Sequence, residues 1–291
     1  MSEDPSSAPS PIGRRPIVLA LTDDLFIIPS LEDAARSSGF ELFVVSRPEE
    51  LGAGGAPTPR PVPMTEPLEG PDAAMVRSLV SRRPVLILID LTLQAVPWAH
   101  WISVLKSGAA TRRIPILAFG PHVDDKPLAE AIRSGADRAM PRGAFLSDVA
   151  GWLESFAART DVPALEAACR EPISPLGRQG LELFNQGRFF EAHEVLEHAW
   201  MAEGDVAGRL YRVLLQLAVA YHHLREDNRR GASKMLLRIR PWLDPLPDRC
   251  RGVDLATVRR LVSELQQALD QLPPGASTKT LSLSTPSVPW A

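Results

Sequence analysis

The stretch of this sequence best suited to chemistry lies between residues 187 and 200, where two histidines, three glutamates and a tryptophan occur close together. Glu197 follows His193 by four residues, and His198 follows Glu194 by the same interval. On an α-helix, side chains four residues apart are neighbours on one face. Four ionisable groups would therefore cluster within two turns. Such a cluster is compatible with a metal site, with catalysis or with a buried hydrogen-bond network.

The same stretch predicts an amphipathic helix. At about 3.6 residues per turn, one face is formed by Phe189, Ala192, His193, Leu196 and Trp200. That face is apolar except for its histidine, and the glutamates border it, whereas a plain surface helix would carry them on the opposite side. We therefore expect the apolar stripe and its bordering acids to be the working surface of this protein.

One interpretation of the cluster is a metal site. His193 and Glu197, completed by His222 or His223 from a facing helix, would supply nitrogen and oxygen ligands suited to zinc or a similar divalent transition metal. The spacing is not that of a zinc protease, because Glu197 stands where the second histidine would be required.

The other interpretation is structural. His193 and Gln216 would form hydrogen bonds with Glu194, Glu197 and backbone groups between the helices. Buried polar groups persist only when they are hydrogen-bonded, and such a network fixes the pairing of helices. The structural network is the expected interpretation, since metal sites in helix bundles normally draw several ligands from facing helices.

Length and composition limit the class of protein. The chain has 291 residues, 45% of them hydrophobic, which suffices for about two domains. A net charge of −3 argues against a protein dedicated to nucleic acids or membrane surfaces. Two cysteines, Cys169 and Cys250, are too few for a disulfide framework, and residues 1–14 lack the apolar core of a signal peptide. We therefore expect a soluble cytoplasmic protein in a reducing compartment, without a membrane span.

The first half of the chain has the pattern of an α/β domain. Short apolar runs alternate with helical patterns over residues 15–157, after a disordered lead at 1–14. Strands are predicted at 16–21, 41–45, 84–89, 114–119 and near 138–140. Such alternation predicts a flavodoxin-like, doubly wound parallel sheet with helices on both faces. Residues 52–71, dense in proline and glycine, are predicted to form a mobile surface loop.

Acidic residues end two of these strands. Asp23 and Asp24 follow the first strand and Asp90 ends the third, so they should meet at the carboxyl edge of the sheet. The order of elements and these acids resemble the receiver domain of bacterial response regulators. The resemblance implies that Asp23, Asp24 and Asp90, together with Arg142, form an acidic pocket for Mg²⁺, with Asp90 as the phosphoacceptor.

Three positions depart from the receiver pattern. The family's hydroxyl residue after the fourth strand falls at Gly120, its aromatic switch residue at Ala139, and its lysine at Arg142. Arginine keeps the positive charge but has a different hydrogen-bonding geometry. The residues that would convey a phosphorylation signal are missing, so the sequence predicts a pseudo-receiver.

The second half of the chain is predicted to be helical. Residues 158–173 read as a linker, residues 174–271 as an all-α helical bundle, and residues 272–291 as a disordered Ser/Thr/Pro-rich tail. Within the bundle, Gly204 is expected to break the helix that begins near residue 188, and the helix from Arg229 is expected to end by residue 237, before Pro241.

The runs 184–200, 214–224 and 228–232 closely resemble the bacterial and archaeal family called domain of unknown function 309. They occur in the family's order, and the similarity extends over about residues 176–245. Val213 is a departure, since the family commonly has glycine there. The resemblance implies a helical fold and no assigned activity. We expect the site of this half to include His193, Glu194, Glu197, His198, Trp200, Gln216, His222, His223 and Asn228.

A basic stripe on the predicted helix after Asn228 is a weaker signal. Arg230, Lys234 and Arg238 recur every four residues, a pattern that could contact phosphates. No aromatic residues interleave to stack bases, so a solvated helix face is the expected interpretation, and nucleic-acid binding is not expected.

Taken together, the sequence predicts a cytoplasmic two-domain signalling or adaptor protein whose helical half binds a protein partner at the seam around His193 and Trp200. The alternative is a metal-binding protein or metal-dependent enzyme that uses the His/Glu cluster, with His193, Glu197 and His222 as the metal ligands. The other residues of that cluster are Glu194, His198 and His223. Nothing in the sequence indicates a substrate or an oligomeric state.

Overall fold

The computed structural model describes residues 15–55, 67–121, 125–157, 160–273, 275–281 and 285–291. The chain divides into two compact units, with the boundary between Arg159 and Thr160. The predicted disordered lead at 1–14 lies outside the described residues, as does the stretch 56–66 of the predicted loop.

The first unit is built on one parallel sheet of five strands in the order β2-β1-β3-β4-β5. This order defines the doubly wound, flavodoxin-like topology, and the fold predicted from sequence is confirmed. The strands are β1 (Ile17–Leu21), β2 (Glu41–Val45), β3 (Pro84–Asp90), β4 (Ile116–Gly120) and β5 (Arg138–Pro141).

Six helices flank or follow the strands. They are α1 (Ile28–Ser37), α2 (Gly70–Arg82), α3 (Trp98–Ser107), α4 (Asp125–Ser134), α5 (Arg142–Leu146) and α6 (Val149–Phe156). Both faces of the central strands are buried, which explains their continuous apolar runs. On one face, Val18, Ala20 and Leu88 belong to a core with Leu31 of α1 and Leu153 of α6.

The second unit is an assembly of helices with a two-strand ribbon. Its elements are α7 (Val162–Arg170), α8 (Pro175–Asn185), α9 (Phe189–Arg225), α10 (Arg229–Leu243), β6 (Arg249–Cys250), β7 (Val253–Asp254) and α11 (Leu255–Gln271). A kink at Gly204, with φ of 73° and ψ of −174°, interrupts α9, as predicted. No helix of the described residues is both long and apolar enough to cross a membrane.

Helices α8 and α9 pack at close range because glycines face bulky side chains. A Cβ atom at Gly180 would lie 2.5 Å from Cγ of Leu196, and one at Gly177 would lie 2.2 Å from Cε1 of Tyr211. Side chains larger than hydrogen at these two positions would force the helices apart. The helix that carries the 187–200 stretch is therefore held tightly against α8.

Two predicted boundaries in this half are wrong. The linker at 158–173 contains helix α7, which is capped by Asp161 and anchored by the buried Leu165. Helix α10 continues through Pro241 to Leu243, because Ile239 and Leu243 are buried in the core and favour continuation of the helix.

The predicted disorder of residues 272–291 is also incorrect for the described residues 275–281 and 285–291. The Thr278 hydroxyl donates to the Leu224 carbonyl at 2.8 Å, and Asp227 accepts the Thr278 N–H at 2.6 Å. Val288 is completely buried. A composition rich in Ser, Thr and Pro indicates a shortage of apolar side chains but does not reveal that other residues bind this segment's backbone.

A disulfide joins Cys169 of α7 to Cys250 of β6, with an S–S distance of 2.10 Å. The sequence interpretation, based on only two cysteines, did not anticipate this bond. The cysteines are 81 residues apart, and pairing at that separation depends on tertiary structure. Disulfides are rare in reducing compartments, so this bond is not expected to persist in the reducing setting that the sequence predicts.

Candidate functional sites

The buried carboxylate of Asp90 at the end of β3 is the centre of the first candidate site. Asp90 is completely buried, and both of its oxygens accept hydrogen bonds. The Thr92 N–H and hydroxyl donate to Oδ1 at 3.0 and 2.7 Å, and the Thr22 hydroxyl donates to Oδ2 at 3.2 Å. The loops that follow β1 and β3 therefore supply neutral donors to this carboxylate.

The guanidinium of Arg142 supplies the positive charge. Its Nη2 lies 2.9 and 2.8 Å from the two oxygens of Asp90, and its Nη1 lies 2.7 Å from Oδ2 of Asp24. Arg142 is the first residue of α5, directly after β5, so the sheet topology brings it to the same edge. The predicted grouping of Asp24, Asp90 and Arg142 is present, whereas Asp23 is exposed to solvent.

These residues do not fit Mg²⁺ as they are arranged here. A hard cation needs free carboxylate oxygens, and Arg142 already bonds both oxygens of Asp90 and one of Asp24. The Arg142 guanidinium is therefore the counter-ion of Asp90 and Asp24.

The two departures at Gly120 and Ala139 carry no polar side chain to the pocket. A Cβ atom at Gly120 would lie 3.2 Å from Cβ of Leu91, so the strand end is closely packed. Ala139 lies within β5 beside Ala118 of β4. Neither position offers a hydroxyl donor or an aromatic ring.

A highly exposed apolar pair lies beside this pocket. Leu25 and Phe26 have 79% and 94% of their surface exposed. The Phe26 N–H donates to Oδ1 of Asp24 at 2.9 Å, while the other oxygen of Asp24 binds Arg142. The conformation of the exposed loop is therefore tied to the charged pocket.

In the helical unit, the structure separates the predicted seam into a buried stripe and an exposed border. Phe189, Ala192 and Leu196 are buried in the core as expected. Glu194 and His198 are exposed on the helix surface. The expected buried network of carboxylates and imidazoles is therefore wrong, because the helix turns the polar border toward solvent while the core takes only the apolar stripe.

Phe190 is the centre of a surface group that the sequence interpretation missed. It is 51% exposed, and its ring centroid lies 6.1 Å from that of His193 and 5.5 Å from that of His222. The Nε2 of His193 lies 4.0 Å from Oε2 of Glu197, at the limit of an ion pair. We call Phe190, His193, Glu197 and His222 the Phe190 surface. An exposed aromatic residue beside a predicted core stripe was the available signal.

The proposed metal ligands do not form a ligand set. Phe190 contacts both His193 and His222, and within the described parts of the chain no three His, Cys, Asp or Glu side chains form a group that could hold a metal ion. The predicted set of His193, Glu197 and His222 is therefore not assembled in this arrangement.

Two further predicted site residues, Trp200 and Gln216, are partly or fully buried in the helical unit. Trp200 is partly buried against the core, and Cζ of Arg212 lies 4.6 Å from the ring centroid of Trp200 and 3.9 Å from that of Trp242. Gln216 is buried, and its Oε1, a hydrogen-bond acceptor, has no partner in the described structure. Trp200 stabilises a cation–π stack.

His223 and Asn228 form a pair at the start of α10. Asn228 caps this helix by accepting the Gly231 N–H at 2.8 Å, and its Nδ2 lies 3.2 Å from Nδ1 of His223. Since the amide nitrogen is a donor, Nδ1 accepts and the imidazole proton is on Nε2. Burial, with a smaller contribution from His222, lowers the pKa of His223 and favours this neutral form.

Replacing Arg142 with methionine should create affinity for Mg²⁺. Loss of the guanidinium leaves Asp90 buried without its counter-ion, so we expect the free energy of unfolding to fall by about 3–5 kcal/mol. Mg²⁺ at roughly ten times its Kd should restore about 1–2 kcal/mol. Urea unfolding with and without MgCl₂ measures both effects. The double variant Arg142→Met with Asp90→Asn should not respond, and an equal response of the unmodified protein would contradict the fit argument.

The lowered pKa of His223 makes a second prediction. The folded chain binds a proton at this site less readily than the unfolded chain does. Neutral His223 therefore contributes its full stabilisation of the fold above the unfolded pKa of about 6.5, and this contribution is lost as pH falls below that value. We expect unfolding free energy to decrease from about pH 7.5 to about pH 5.5, and to decrease less in His223→Gln. Urea unfolding at both pH values tests this, with the exposed His198→Gln as control; identical pH dependence in both variants and the unmodified protein would refute it.

Comparison with known proteins identifies a family model within the second half of the chain. Residues 178–235 match the family model described as domain of unknown function 309. An uncharacterised protein of Aquifex aeolicus is 29% identical over 83 residues, which are 28% of this chain and 25% of that protein. The match thus spans about a quarter of that relative's length.

Solved receiver domains are similar to the first half of the chain. One is the receiver domain of a sensor histidine kinase from Pseudomonas aeruginosa with a magnesium ion in its active-site cleft, at 15% identity, 50% of this chain, 98% of that chain and a TM-score of 0.36. Another is a phosphorylated cyanobacterial phytochrome response regulator. It is 19% identical, the match covers 50% of this chain and 94% of that chain, and the TM-score is 0.37. At such low sequence identity the similarity concerns the fold alone. The fold of this domain is assigned here from its own strand order. The chain combines a receiver-like domain with a segment that matches domain of unknown function 309.

Proposed function

We propose that this protein is a cytoplasmic adaptor of a signalling system. Its receiver-like domain docks to other proteins without accepting a phosphoryl group, and its helical domain binds a protein partner through the Phe190 surface.

The observation that carries the proposal is the ion pair between Arg142 and Asp90. Phosphoryl transfer needs a nucleophilic oxygen and a cation that neutralises the transferred group. Both oxygens of Asp90 accept bonds from Arg142 and from Thr22 or Thr92, and the carboxylate has no exposed surface. An incoming phosphodonor would have to displace the guanidinium first.

A phosphorylation switch also needs an element that responds. Regulatory modifications act by biasing a second arrangement through a new contact. Gly120 and Ala139 provide neither a hydroxyl nor an aromatic ring for such a contact. The geometry therefore favours a domain with one stable arrangement, suited to constitutive docking through exposed residues such as Leu25 and Phe26.

The Phe190 surface has the composition of a protein-binding site. Aromatic residues contribute strongly at the centre of interfaces, and a half-exposed phenylalanine on a rigid helix loses little entropy on binding. His193 and His222 border Phe190, and Glu197 adds an acidic group at the rim. The metal-dependent alternative has less support, since no three His, Cys, Asp or Glu side chains of the described residues form a group that could hold a metal ion. The overall charge of −3 gives no support to a nucleic-acid partner.

The cytoplasmic setting remains a prediction from the sequence and is compatible with loss of the disulfide. Helix α7 is also held by Arg251, whose N–H donates to the Cys169 carbonyl at 2.7 Å and whose Nε donates to the Ala168 carbonyl at 3.1 Å. These bonds do not require oxidised sulfur, so α7 has contacts that would persist in a reducing compartment.

Treatment with a small acyl-phosphate donor and MgCl₂ should leave the mass of the protein unchanged, because Arg142 blocks Asp90. Intact-mass spectrometry measures the result, with a phosphorylatable response regulator as positive control and Asp90→Asn as background. A phosphoryl increment in the unmodified protein that is missing from Asp90→Asn would overturn the proposed docking role without phosphorylation.

Replacing Phe190 with serine should remove partner binding and leave the fold intact. The side chain is half-exposed, so we expect a change in unfolding free energy within about 0.5 kcal/mol. Truncation of a central aromatic residue should weaken capture of its partner by about tenfold or more. Quantitative affinity enrichment from the native host compares the variant with Met201→Ser, an exposed apolar residue on the same helix. Equal enrichment by both variants would show that Phe190 is not the binding surface.

A further inference from the structure

Residues 285–291 lie on the helical unit as an extended segment with alternating burial. Pro286 and Val288 are buried and Trp290 is half-buried, while Thr285, Ser287, Pro289 and Ala291 are exposed. A period of two is the pattern of an extended chain with one covered face. The covering surface is formed by α8 and β7, and we call it the α8–β7 groove; its contacting residues are Arg178, Asn185, Gly252, Val253 and Asp254.

Asn185 binds the backbone of the segment from the α8 side. Its Nδ2 donates to the Val288 carbonyl at 3.0 Å, and its Oδ1 accepts the Val288 N–H at 2.8 Å. One amide side chain thus satisfies both backbone groups of one residue. This recognition requires an extended backbone and does not depend on the side chain at position 288.

The edge of β7 binds the segment from the other side. The Asp254 N–H donates to the Pro289 carbonyl at 2.9 Å, the Ala291 N–H donates to the Gly252 carbonyl at 3.3 Å, and Val253 pairs with Trp290 in antiparallel orientation. Addition of an extended peptide to an exposed strand edge is a common mode of peptide recognition. Gly252 permits the approach, since a Cβ atom there would lie 2.1 Å from the Ala291 carbonyl oxygen.

Two side chains of the segment occupy distinct apolar positions. Val288 is completely buried in the core of the helical unit. Trp290 packs on the same core, and the Arg178 guanidinium lies 5.3 Å from its ring centroid, within cation–π distance. The groove therefore combines sequence-independent backbone bonds with two side-chain positions, which selects an aliphatic residue followed two positions later by an aromatic one.

We propose that the α8–β7 groove is a peptide-binding site that residues 285–291 of the chain keep occupied, and that its external ligand is an extended partner segment of the same chemistry. This inference goes beyond the proposed function, because it uses none of the residues of the Phe190 surface or the Asp90 pocket. Either proposal can fail while the other holds.

The chain's own segment is not the best ligand for this groove. In an extended strand the N–H and carbonyl of one residue point to the same side. The Pro289 carbonyl accepts from β7, but proline has no N–H to return a bond to that edge. A partner segment with any residue other than proline at the position of Pro289 would have a backbone N–H that could donate to the edge of β7. The covalent connection compensates, since a short tether gives an effective concentration of about 1 mM. In the intact chain, residues 285–291 therefore occupy the α8–β7 groove, but a partner segment that binds more tightly can displace them.

Binding of a fluorescently labelled Thr-Pro-Ser-Val-Pro-Trp-Ala peptide, measured by anisotropy, tests the proposal. The proteins compared are the intact chain, a tail-released variant with Val288→Asp and Trp290→Ser, and the released variant with Asn185→Ala added. We expect the released variant to bind at least about tenfold more tightly than the intact chain, and Asn185→Ala to remove most of this gain. A peptide with aspartate and serine at the two apolar positions should not bind.

Equal affinity for the intact and released chains would overturn the proposal, as would absence of binding to a released variant that keeps its helical circular dichroism. If the released variant does not fold, a protease site placed in residues 282–284 allows cleavage after folding. Exchange of the cut segment for labelled peptide supports the proposal, and a cut segment that never exchanges overturns it. A dimer that becomes monomeric when Val288 is replaced would assign the segment to a second copy and also overturn it.

Discussion

The arrangement of the receiver-like domain depends on neutralising one carboxylate that has no contact with water. A buried, unpaired carboxylate costs several kcal/mol, so the buried Asp90 requires a cation and hydrogen-bond donors around it. The sheet topology meets this requirement, since the ends of β1, β3 and β5 bring Thr22, Thr92 and Arg142 to one edge. Arg142 also binds Asp24, and Asp24 fixes the loop of the exposed Phe26. One internal charge pair therefore determines the conformation of the surface beside it.

In the helical unit, buried backbone groups likewise need hydrogen-bond partners. Segments that leave a helix must find partners for their N–H and carbonyl groups when they are buried. Asn185 supplies both partners for Val288, and Asp227 accepts from Thr278, with hydrogen bonds from Ser277 and Thr278 lowering its pKa. Asn185 at the end of α8 and Asp227 just after the end of α9 thus order a segment with few apolar residues. Burial of Val288 then adds the apolar contact that holds it against the core.

The sequence predicted the elements that local patterns specify. The parallel sheet, the placement of Asp24 and Asp90 at one edge, and the break at Gly204 follow from apolar periodicity, strand-end position and glycine geometry. The place of Arg142 beside these acids was implied by the receiver resemblance. The sequence failed where a tertiary partner decides the outcome. Periodicity placed His193 on the apolar stripe but could not show that the helix edge faces solvent. Composition predicted disorder after residue 272, because nothing local shows that Asn185 binds a backbone a hundred residues away. The Cys169–Cys250 pairing is non-local for the same reason.

An internal counter-ion also limits how this protein could receive a signal. With Arg142 paired to Asp90, a charge added at that site would have to break existing bonds before it could make new ones. In the helical unit, what can change is which segment occupies the α8–β7 groove, since residues 285–291 are held there by backbone hydrogen bonds and by the buried Val288. A ligand can shift such an equilibrium only by its differential affinity for the open state. Competition for an occupied groove therefore requires no chemical step, and it is the form of regulation that these contacts favour.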